Sequence, residues 1–238
     1  FHTCTRGLNK PFDENLMEDM QNTAIFLCEN IQGAKCAYVQ SDEISLLLTD
    51  FDTFKTQAWF HYELSKMESI SAAYATARFN QLRLLRNITS IKELLNLEPE
   101  YDDCPVIEYN DVALQKLAYF DSRARNYSKE EVSNYFLWRQ QDAIRNSISM
   151  LAQSLYSPKE LHGKNVSDMQ EMCFQKEHNW NDLHWSKKRG TFIIKNTYCD
   201  GQNTNKPYLA HEDSIIRSKW EAVETPFKFD YSHFEQWL

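Results

Sequence analysis

Two adjacent carboxylates, Asp42 and Glu43, follow a serine at the junction of two apolar segments. Segments 34–40 and 44–49 are apolar enough to form strands, which places Ser41-Asp42-Glu43 at the turn of a hairpin. Carboxylates at such a turn are poorly placed for packing but well placed to hold a hard cation. Mg²⁺ takes oxygen ligands from one or two carboxylates and leaves its other positions to water and phosphate. A solvated acidic turn is the alternative interpretation of this tripeptide taken alone.

The elements around the hairpin predict an α+β fold. Asp13 is a suitable N-cap for a helix over Glu14–Ile31, where apolar residues recur at helical spacing. A second helix is expected from near Asp52 to beyond Ala77, and Leu117–Phe120 reads as a short strand. If one further strand lies upstream, the order becomes βαββαβ. That is the ferredoxin-like core, which polymerase palms also use.

The remainder of the chain predicts a helical extension and a tail. Periodicity indicates a third helix over Lys129–Tyr156, a short helix over Val166–Cys173 and a strand over Arg189–Lys195. We therefore expect a domain with this palm-like core at 1–127 with an irregular acidic insertion at 87–113, a helical extension with a strand at 128–195, and a tail at 196–238 packed on the body.

Charge is distributed unevenly along the chain. The 238 residues carry a net charge of −8, which counts against nucleic-acid binding because phosphate contacts need Lys and Arg. Binding depends on where charges lie rather than on their sum, however. Basic residues gather at Arg78/Arg83/Arg86, Arg123/Arg125, Arg139/Arg145 and Lys187/Lys188/Arg189. A local basic face is compatible with the acidic total.

The spacing of the cysteines and the length of the apolar runs indicate in which cellular compartment the protein is expected. The six cysteines show no C-x-x-C spacing, so we expect reduced thiols and a cytoplasmic protein rather than a zinc site or a disulfide scaffold. No apolar run approaches membrane-spanning length, so no membrane partner is expected.

Several short motifs occur in an order and at intervals typical of one family. They are Phe1-His2, Lys10-Pro11-x-Asp13, Gln40-Ser41-Asp42-Glu43, Ser65-Lys66, Phe120-Asp121-x-Arg123, Trp138-Arg139-Gln140-x-Asp142, Asn146 and Arg189-Gly190-Thr191. Over roughly residues 1–195 the chain resembles the tRNA(His) guanylyltransferases and their guanylyltransferase-like relatives, the 3′-to-5′ RNA polymerases. An ordered set of matches is far more specific than any single one.

The resemblance implies a nucleotidyltransferase that uses two Mg²⁺ ions to transfer nucleotides from GTP, ATP or other NTPs onto the 5′ end of a tRNA. Asp42 and Glu43 would be the catalytic and metal-binding carboxylates, and the family's second metal carboxylate belongs to an Asp-Gly turn ahead of the Phe-His pair. The nucleotide-binding residues would be Phe1, His2, Lys10, Asp13, Ser41, Asp42, Lys66 and Arg123. The tRNA-binding residues would be Arg145, Asn146, Lys188 and Arg189, in what is usually a homotetramer.

One departure favours the guanylyltransferase-like branch. Eukaryotic tRNA(His) enzymes read Cys-His-Ile-Asn-Asn after the Trp-Arg-Gln-x-Asp motif, whereas this chain reads Ala143-Ile144-Arg145-Asn146-Ser147. The histidine that the family associates with selecting its tRNA is thus Ile144 here, and an aliphatic side chain cannot make a polar contact. This favours templated repair of 5′-truncated tRNAs over guanylate addition to tRNA(His).

Plainer interpretations of individual residues stay open. Lys66 fits a solvated helix position, and Arg123 fits a simple pair with Asp121. Asp13 fits a helix cap alone, His2 a structural histidine, and Trp138 is expected in the core. Two other functions also fit: a palm-type nucleotidyl cyclase acting on NTP without RNA, and a non-catalytic tRNA-binding protein derived from the family.

Overall fold

The computed structural model describes residues 3–94, 116–200 and 215–238, in which four strands form one antiparallel sheet. The strands are β1 (Ala34–Gln40), β2 (Glu43–Leu48), β3 (Thr191–Asp200) and β4 (Ile215–Glu224). Their order across the sheet is β2-β1-β3-β4. Together with the helices this is an α+β architecture, as the sequence predicted.

The predicted hairpin is confirmed. Strands β1 and β2 pair antiparallel with Gln40 opposite Glu43, so Ser41 and Asp42 form the tight turn between them. The backbone of Ser41 has a φ of 47°, the left-handed conformation that two-residue hairpin turns require. At the opposite end, the Thr49 amide donates to the Gly33 carbonyl at 2.9 Å and closes the hairpin.

Helices α1 (Glu14–Asn30) and α2 (Leu64–Leu94) cover one face of the sheet. The first helix confirms its prediction, including the cap: the Leu16 amide donates to Asp13 Oδ1 at 2.8 Å. Alternation along the strands sends one set of side chains to this face. The core there contains Met20, Ala24, Cys28, Ala37, Val39, Phe79, Ala118, Ile193 and Trp220.

Helix α2 begins at Leu64, later than the sequence predicted. Asp52, the expected start, pairs with Lys35 instead. The chain then forms a 3-10 turn at Trp59–Tyr62, where Phe60, His61 and Tyr62 have φ between 50° and 63°. A right-handed helix cannot pass through three left-handed residues. The helix extends to Leu94, so the first part of the predicted irregular insertion 87–113 is helical, while residues 95–113 lie outside the described residues.

The predicted strand at Leu117–Phe120 is wrong. These residues run along α2, whose side chains satisfy their backbone groups. Asn80 accepts from the Ala118 amide at 3.0 Å and donates to the Ala118 carbonyl at 2.8 Å, and Thr76 Oγ1 accepts from the Phe120 amide at 3.0 Å. Polar side chains of α2 therefore make the hydrogen bonds to this backbone that a neighbouring strand would otherwise make.

Helix α3 (Lys129–Leu155) confirms the predicted third helix, and it covers the other face of the sheet. Its apolar side packs on β1 and β3 and on an aromatic cluster from the C-terminal residues. This second core contains Cys36, Tyr38, Val132, Phe136, Ala143, Phe192, Phe229 and Phe234. The following helices are α4 (Pro158–Leu161), α5 (Val166–Gln175), which confirms the predicted short helix, and α6 (Trp185–Arg189).

The C-terminal region supplies a strand that the sequence did not reveal. The predicted strand at Arg189–Lys195 is observed as β3, and it pairs with β4 over ten residues within the region predicted to be an aperiodic tail. Strand β4 lies at the sheet edge, and its consecutive residues 217–219 are all exposed, so its sequence shows no regular alternation of apolar and polar residues. Trp220 on β4 is buried against the α1 face of the sheet. No helix in the described part of the chain is long and apolar enough to cross a membrane.

Candidate nucleotide and metal site

Of the two carboxylates at the hairpin tip, Glu43 is bound by neighbouring side chains, whereas Asp42 has no such partner among the described residues. Glu43 Oε2 accepts from Gln40 Nε2 at 2.7 Å and is bound by the guanidinium of Arg139. Asp42 is exposed, and within the described ranges it makes neither a hydrogen bond nor an ion pair. The turn therefore presents the Asp42 carboxylate to a ligand while its neighbour is fixed in place.

Arg139 is a site residue to which sequence reasoning assigned no role. Its side chain is only 11% exposed, it reaches Glu43 from α3, and its guanidinium lies 4.7 Å from the ring centre of Trp138. Asp142, one helical turn further, is 3.5 Å from the same guanidinium. The Trp-Arg-Gln-x-Asp spacing, which puts Arg139 and Asp142 on one helix face, was the available signal.

Trp138 was predicted to be a core residue, and this prediction is wrong. Its side chain is 54% exposed on the face of α3 beside β2. The buried face of α3 includes Val132, Phe136 and Ala143, which leaves position 138 on the outer side.

Two of the predicted tRNA-binding residues join the tip through Asp142. Arg145 Nη2 lies 3.2 Å from Asp142 Oδ1, and Asn146 Nδ2 donates to Asp142 Oδ2 at 3.2 Å. Arg145 is 53% exposed and therefore accessible to a ligand. The structure thus links the tip to Arg145 and Asn146 in one polar network along α3.

A buried tyrosine on β1, Tyr38, holds the start of β3 close to the polar network of Arg139 and Asp142. Tyr38 OH donates to the Arg189 carbonyl at 2.5 Å. Burial raises the pKa of the Tyr38 hydroxyl, Arg139 and Arg189 lower it, and Asp142 raises it. The phenol therefore stays protonated and keeps donating throughout the physiological pH range.

Gly190 permits this contact. Its φ of 75° and ψ of −170° lie in a region that only glycine adopts readily. A Cβ there would meet the Val39 carbonyl oxygen at 2.5 Å and the Tyr38 hydroxyl at 2.8 Å. Because both neighbours belong to β1, neither can move away without disturbing the sheet.

Gly190→Ala is expected to lower the free energy of unfolding by about 2–4 kcal/mol, the combined effect of backbone strain and steric overlap. Urea denaturation measures the change. Gly163→Ala is the matched control, because Gly163 has a similar φ of 74° and a Cβ added to it would meet no atom within 4 Å. We expect a loss of about 1 kcal/mol there. Equal losses in the two variants would contradict the role assigned to the Gly190 contact.

The other two predicted tRNA-binding residues are already engaged. Arg189 pairs with Glu224 at 3.2 Å and its side chain is only 14% exposed. Lys188 Nζ donates to the Asn181 carbonyl at 2.5 Å. Both therefore help to hold the entrance to β3 in the structure.

Two basic side chains that were predicted to bind the nucleotide do not contact the hairpin tip. Lys66 lies in the first turn of α2, 56% exposed, and pairs with Glu63 at 2.8 Å. Arg123 is 79% exposed and pairs with Asp121 at 3.5 Å, which is the plainer of its two interpretations. Among the described residues, neither makes a hydrogen bond or ion pair to the hairpin tip.

The loop before α1 carries the remaining candidates. The Asp13 carboxylate accepts from the Asn9 and Leu16 amides at 3.1 and 2.8 Å, so it is used as a cap. Lys10 is exposed at the wall of a cavity of about 700 Å³ between this loop and the end of α3, with Tyr156 and His162 also lining it. Phe1 and His2 lie outside the described residues.

A buried ionic cluster joins α1 to α2, and sequence reasoning did not single it out. Asp19 is fully buried and is bound by Arg86 Nε at 2.6 Å and by Arg83 Nη1 at 3.3 Å. Burial raises the pKa of the nearby Cys4 thiol, Arg83 lowers it and Asp42 raises it. Arg83 and Asp42 therefore both lie within electrostatic range of Cys4.

The oxygen donors at the tip fit a magnesium ion, although they do not complete its coordination. Among the residues the structure describes, no three His, Cys, Asp or Glu side chains converge as a metal site. The Asp42 carboxylate makes no hydrogen bond or ion pair in the described part of the chain, and the buried Oε1 atom of Gln40, the last residue of β1 before the turn, has no hydrogen-bond partner there. Mg²⁺ keeps several water or phosphate ligands, so a single protein carboxylate with a neighbouring oxygen is a usual partial set.

Comparison with known proteins decides the family. Residues 1–128 match the sequence model described as tRNAHis guanylyltransferase. The chain belongs to the tRNA(His) guanylyltransferase family. The family predicted from the ordered motifs is thus confirmed, and with it membership of a nucleotidyltransferase family.

Individual relatives of this tRNA(His) guanylyltransferase family member agree. A bacterial tRNA(His) guanylyltransferase-like protein in complex with ATP is 41% identical, with a TM-score of 0.70 over 94% of this chain and 78% of that one. A structure with the same description, in complex with GTP, is 38% identical, with a TM-score of 0.69 over 100% and 83%. A probable tRNA(His) guanylyltransferase of Drosophila melanogaster is 24% identical over 91% of this chain and 71% of that protein.

Proposed function

We propose that this protein is a Mg²⁺-dependent nucleotidyltransferase that adds nucleotides to the 5′ end of tRNA in the 3′-to-5′ direction. The observation that carries the proposal is the Asp42 carboxylate, exposed and, in the described part of the chain, without a partner at a hairpin tip whose neighbouring Glu43 is held by Arg139. A carboxylate with no structural partner at such a position is available to a cation. ATP and GTP, present in the two related structures, are the proposed nucleotide substrates.

Asp42 is the proposed direct ligand of magnesium, and Glu43 the second carboxylate beside it. Magnesium held by these two carboxylates would supply the positive charge that an in-line phosphoryl transfer needs at its attacking and leaving oxygens. The task of the protein is then positioning: Arg139 fixes Glu43, and the Ser41 backbone turns Asp42 outward. Arg145 and Asn146, joined to the tip through Asp142, are proposed to bind the tRNA. Lys188 and Arg189 are proposed to join them by exchanging their present partners, Asn181 and Glu224, for phosphate.

The triphosphate requires cations, and exposed residues supply them. Lys10, Lys66 and Arg123 are the proposed contacts, together with Phe1, His2 and Asp13 near the nucleotide. The Lys66–Glu63 and Arg123–Asp121 pairs are both more than half exposed. Exposed ion pairs contribute only about 0–1 kcal/mol, so a triphosphate displaces the carboxylate partner at little cost.

We also propose that a strand preceding Phe1 completes a palm-like core by pairing with β2. Within the described residues β2 pairs only with β1, and its second edge carries no strand. A strand on that edge would bring the upstream Asp-Gly carboxylate of the family close to Asp42 and complete a two-ion site.

The proposed biological task is templated repair of 5′-truncated tRNAs, which is supported by Ile144 at the position of the family's tRNA-selecting histidine. The proposed assembly is a homotetramer, and the proposed location is the cytoplasm.

The test uses full-length protein with a 5′-truncated tRNA, NTPs and Mg²⁺. We expect the tRNA to lengthen at its 5′ end by nucleotides complementary to the opposite strand, with no lengthening in EDTA. Reactions without RNA control for cyclase activity. The absence of lengthening at any Mg²⁺ concentration, or the formation of cyclic nucleotides from NTP alone, would overturn the proposal.

A further inference from the structure

A row of aromatic side chains leads away from the hairpin tip along α3. Trp138 and Tyr127 are 54% and 47% exposed, and Tyr135 lies between them. The ring of Tyr135 is 5.2 Å from that of Tyr127 and 6.3 Å from that of Trp138, centre to centre. Trp138, Tyr135 and Tyr127 together form the aromatic row.

The aromatic row is fixed beside β2. The hydroxyls of Tyr135 and Ser45 are hydrogen-bonded at 2.9 Å. Because Ser45 lies two residues beyond Glu43 on the same strand, the row runs beside β2 in the direction away from the tip. The side chains are therefore anchored at the middle of the row and open at its two ends.

Positive charge accompanies the rings. The Arg139 guanidinium lies 4.7 Å from the ring centre of Trp138 at the tip end. At the far end Lys129, two residues from Tyr127, places its ammonium 4.3 Å from the ring centre of the half-exposed Phe51. Exposed rings interleaved with cations are typical of surfaces that stack the bases of single-stranded nucleic acid and neutralise its phosphates.

Core packing accounts for the middle ring of the aromatic row but not for its two ends. Tyr135 packs against the core that contains Val132 and Phe136, whereas Trp138 and Tyr127 are about half exposed. The rings of the row are tilted by 45° and 59° to one another, so no ring in the row is stacked face to face on its neighbour. An unpaired base can stack on an exposed aromatic ring, whereas bases inside a duplex stack on one another.

We propose that the aromatic row is a stacking platform for unpaired bases at the end of the RNA substrate. The inference rests on the proposed function, because it takes the RNA 5′ terminus to lie at Asp42. A single-stranded RNA segment is favoured over a protein partner because the row starts at the proposed site of transfer and because the exposed Lys129 lies at its far end. The bases stack on Trp138 and Tyr127. Arg139 stays bound to Glu43 at the tip end, and Lys129, which is exposed and donates to the Leu238 carbonyl, is the cation nearest to the phosphates at the far end.

Fluorescence anisotropy with a short 5′-phosphorylated single-stranded RNA tests the aromatic row directly on the full-length protein. We expect Trp138→Ala and Tyr127→Ala each to weaken binding by about tenfold, within the range known for base stacking on aromatic side chains. Trp138→Phe keeps a ring and is expected to stay within about threefold of the wild type. Phe174→Ala, which removes a 61% exposed ring from α5, is the matched control and is expected to change nothing.

Three results would overturn the proposal. The first is unchanged binding of single-stranded RNA in both alanine variants. The second is an equal loss of affinity for a blunt RNA duplex. The third is dissociation of an oligomer in Trp138→Ala, which would assign the aromatic row to contact with a second copy of the chain. Failure of this proposal is separable from failure of the proposed function. If the wild type extends tRNA but binds single-stranded RNA independently of the row, only the row is refuted. If binding depends on the row but no nucleotide is added, the proposed function is refuted.

Discussion

Replacing Asp42 with alanine is expected to lower the rate of 5′ nucleotide addition by at least about a hundredfold while leaving the fold intact. The loss of groups that only support a metal ligand typically costs about ten- to a hundredfold, and Asp42 is proposed as a ligand itself. Because Asp42 is exposed and makes no hydrogen bond or ion pair in the described part of the chain, the variant breaks no contact there. Single-turnover extension of a 5′-truncated tRNA at saturating NTP measures the effect.

Two variants make the Asp42 experiment specific. Asp42→Asn keeps the size of the side chain but removes its charge, so it should be almost as impaired as Asp42→Ala. Glu171→Ala removes an exposed carboxylate from α5 and should retain full activity. The free energy of unfolding should change by no more than about 0.5 kcal/mol in all three proteins, as for ordinary surface substitutions. Wild-type rates in Asp42→Ala would refute the assignment of Asp42.

Asp19→Ala is expected to lower the free energy of unfolding by about 3–5 kcal/mol. Asp19 is fully buried between α1 and α2, and Arg83 and Arg86 bind it. Removing the carboxylate leaves these guanidinium groups without their buried counter-charge, which is the costly way to break such a cluster. Urea unfolding followed by circular dichroism measures the loss.

Glu18→Ala is the matched control for the Asp19 experiment. Glu18 precedes Asp19 on the same helix and binds the same Arg86 at 2.6 Å, but its side chain is 60% exposed. An exposed pair is worth about 0–1 kcal/mol, so the control should unfold almost like the wild type. If both variants lost a similarly small amount of unfolding free energy, burial of Asp19 would not be the source of the stability that this cluster contributes.

The parts of the fold that were predictable are those that local sequence determines. Asp13 caps α1 because its carboxylate reaches amides three and four residues away, and this signal is visible in the sequence. The hairpin follows from two apolar segments joined by a two-residue polar turn. Helix α3 follows from an apolar stripe of helical period that ends just before Ser157-Pro158.

The parts that were not predictable depend on contacts between distant residues. Residues 117–120 have a strand-like composition, but Thr76 and Asn80 on α2 satisfy their backbone. Strand β4 is recognisable only through its partner β3, because its outer face is polar and exposed. Long-range pairing overrides local preference in both cases.

The candidate site shows the same division. The sequence identified Asp42 and Glu43, and the structure places them at the expected turn. It did not reveal that Arg139 on α3 holds Glu43, since 96 residues separate the two. It also placed Trp138 in the core, because the residue type favours burial while the helix face that decides its position is set by packing.

A structure of the full-length protein with GTP, and with Mn²⁺ in place of Mg²⁺, tests most decisively whether the hairpin tip binds the metal. We expect an anomalous metal peak about 2.0–2.6 Å from a carboxylate oxygen of Asp42, with the triphosphate bound to the same ion. A bare Asp42 turned toward solvent, with the metal and the phosphates bound elsewhere, would contradict the assignment.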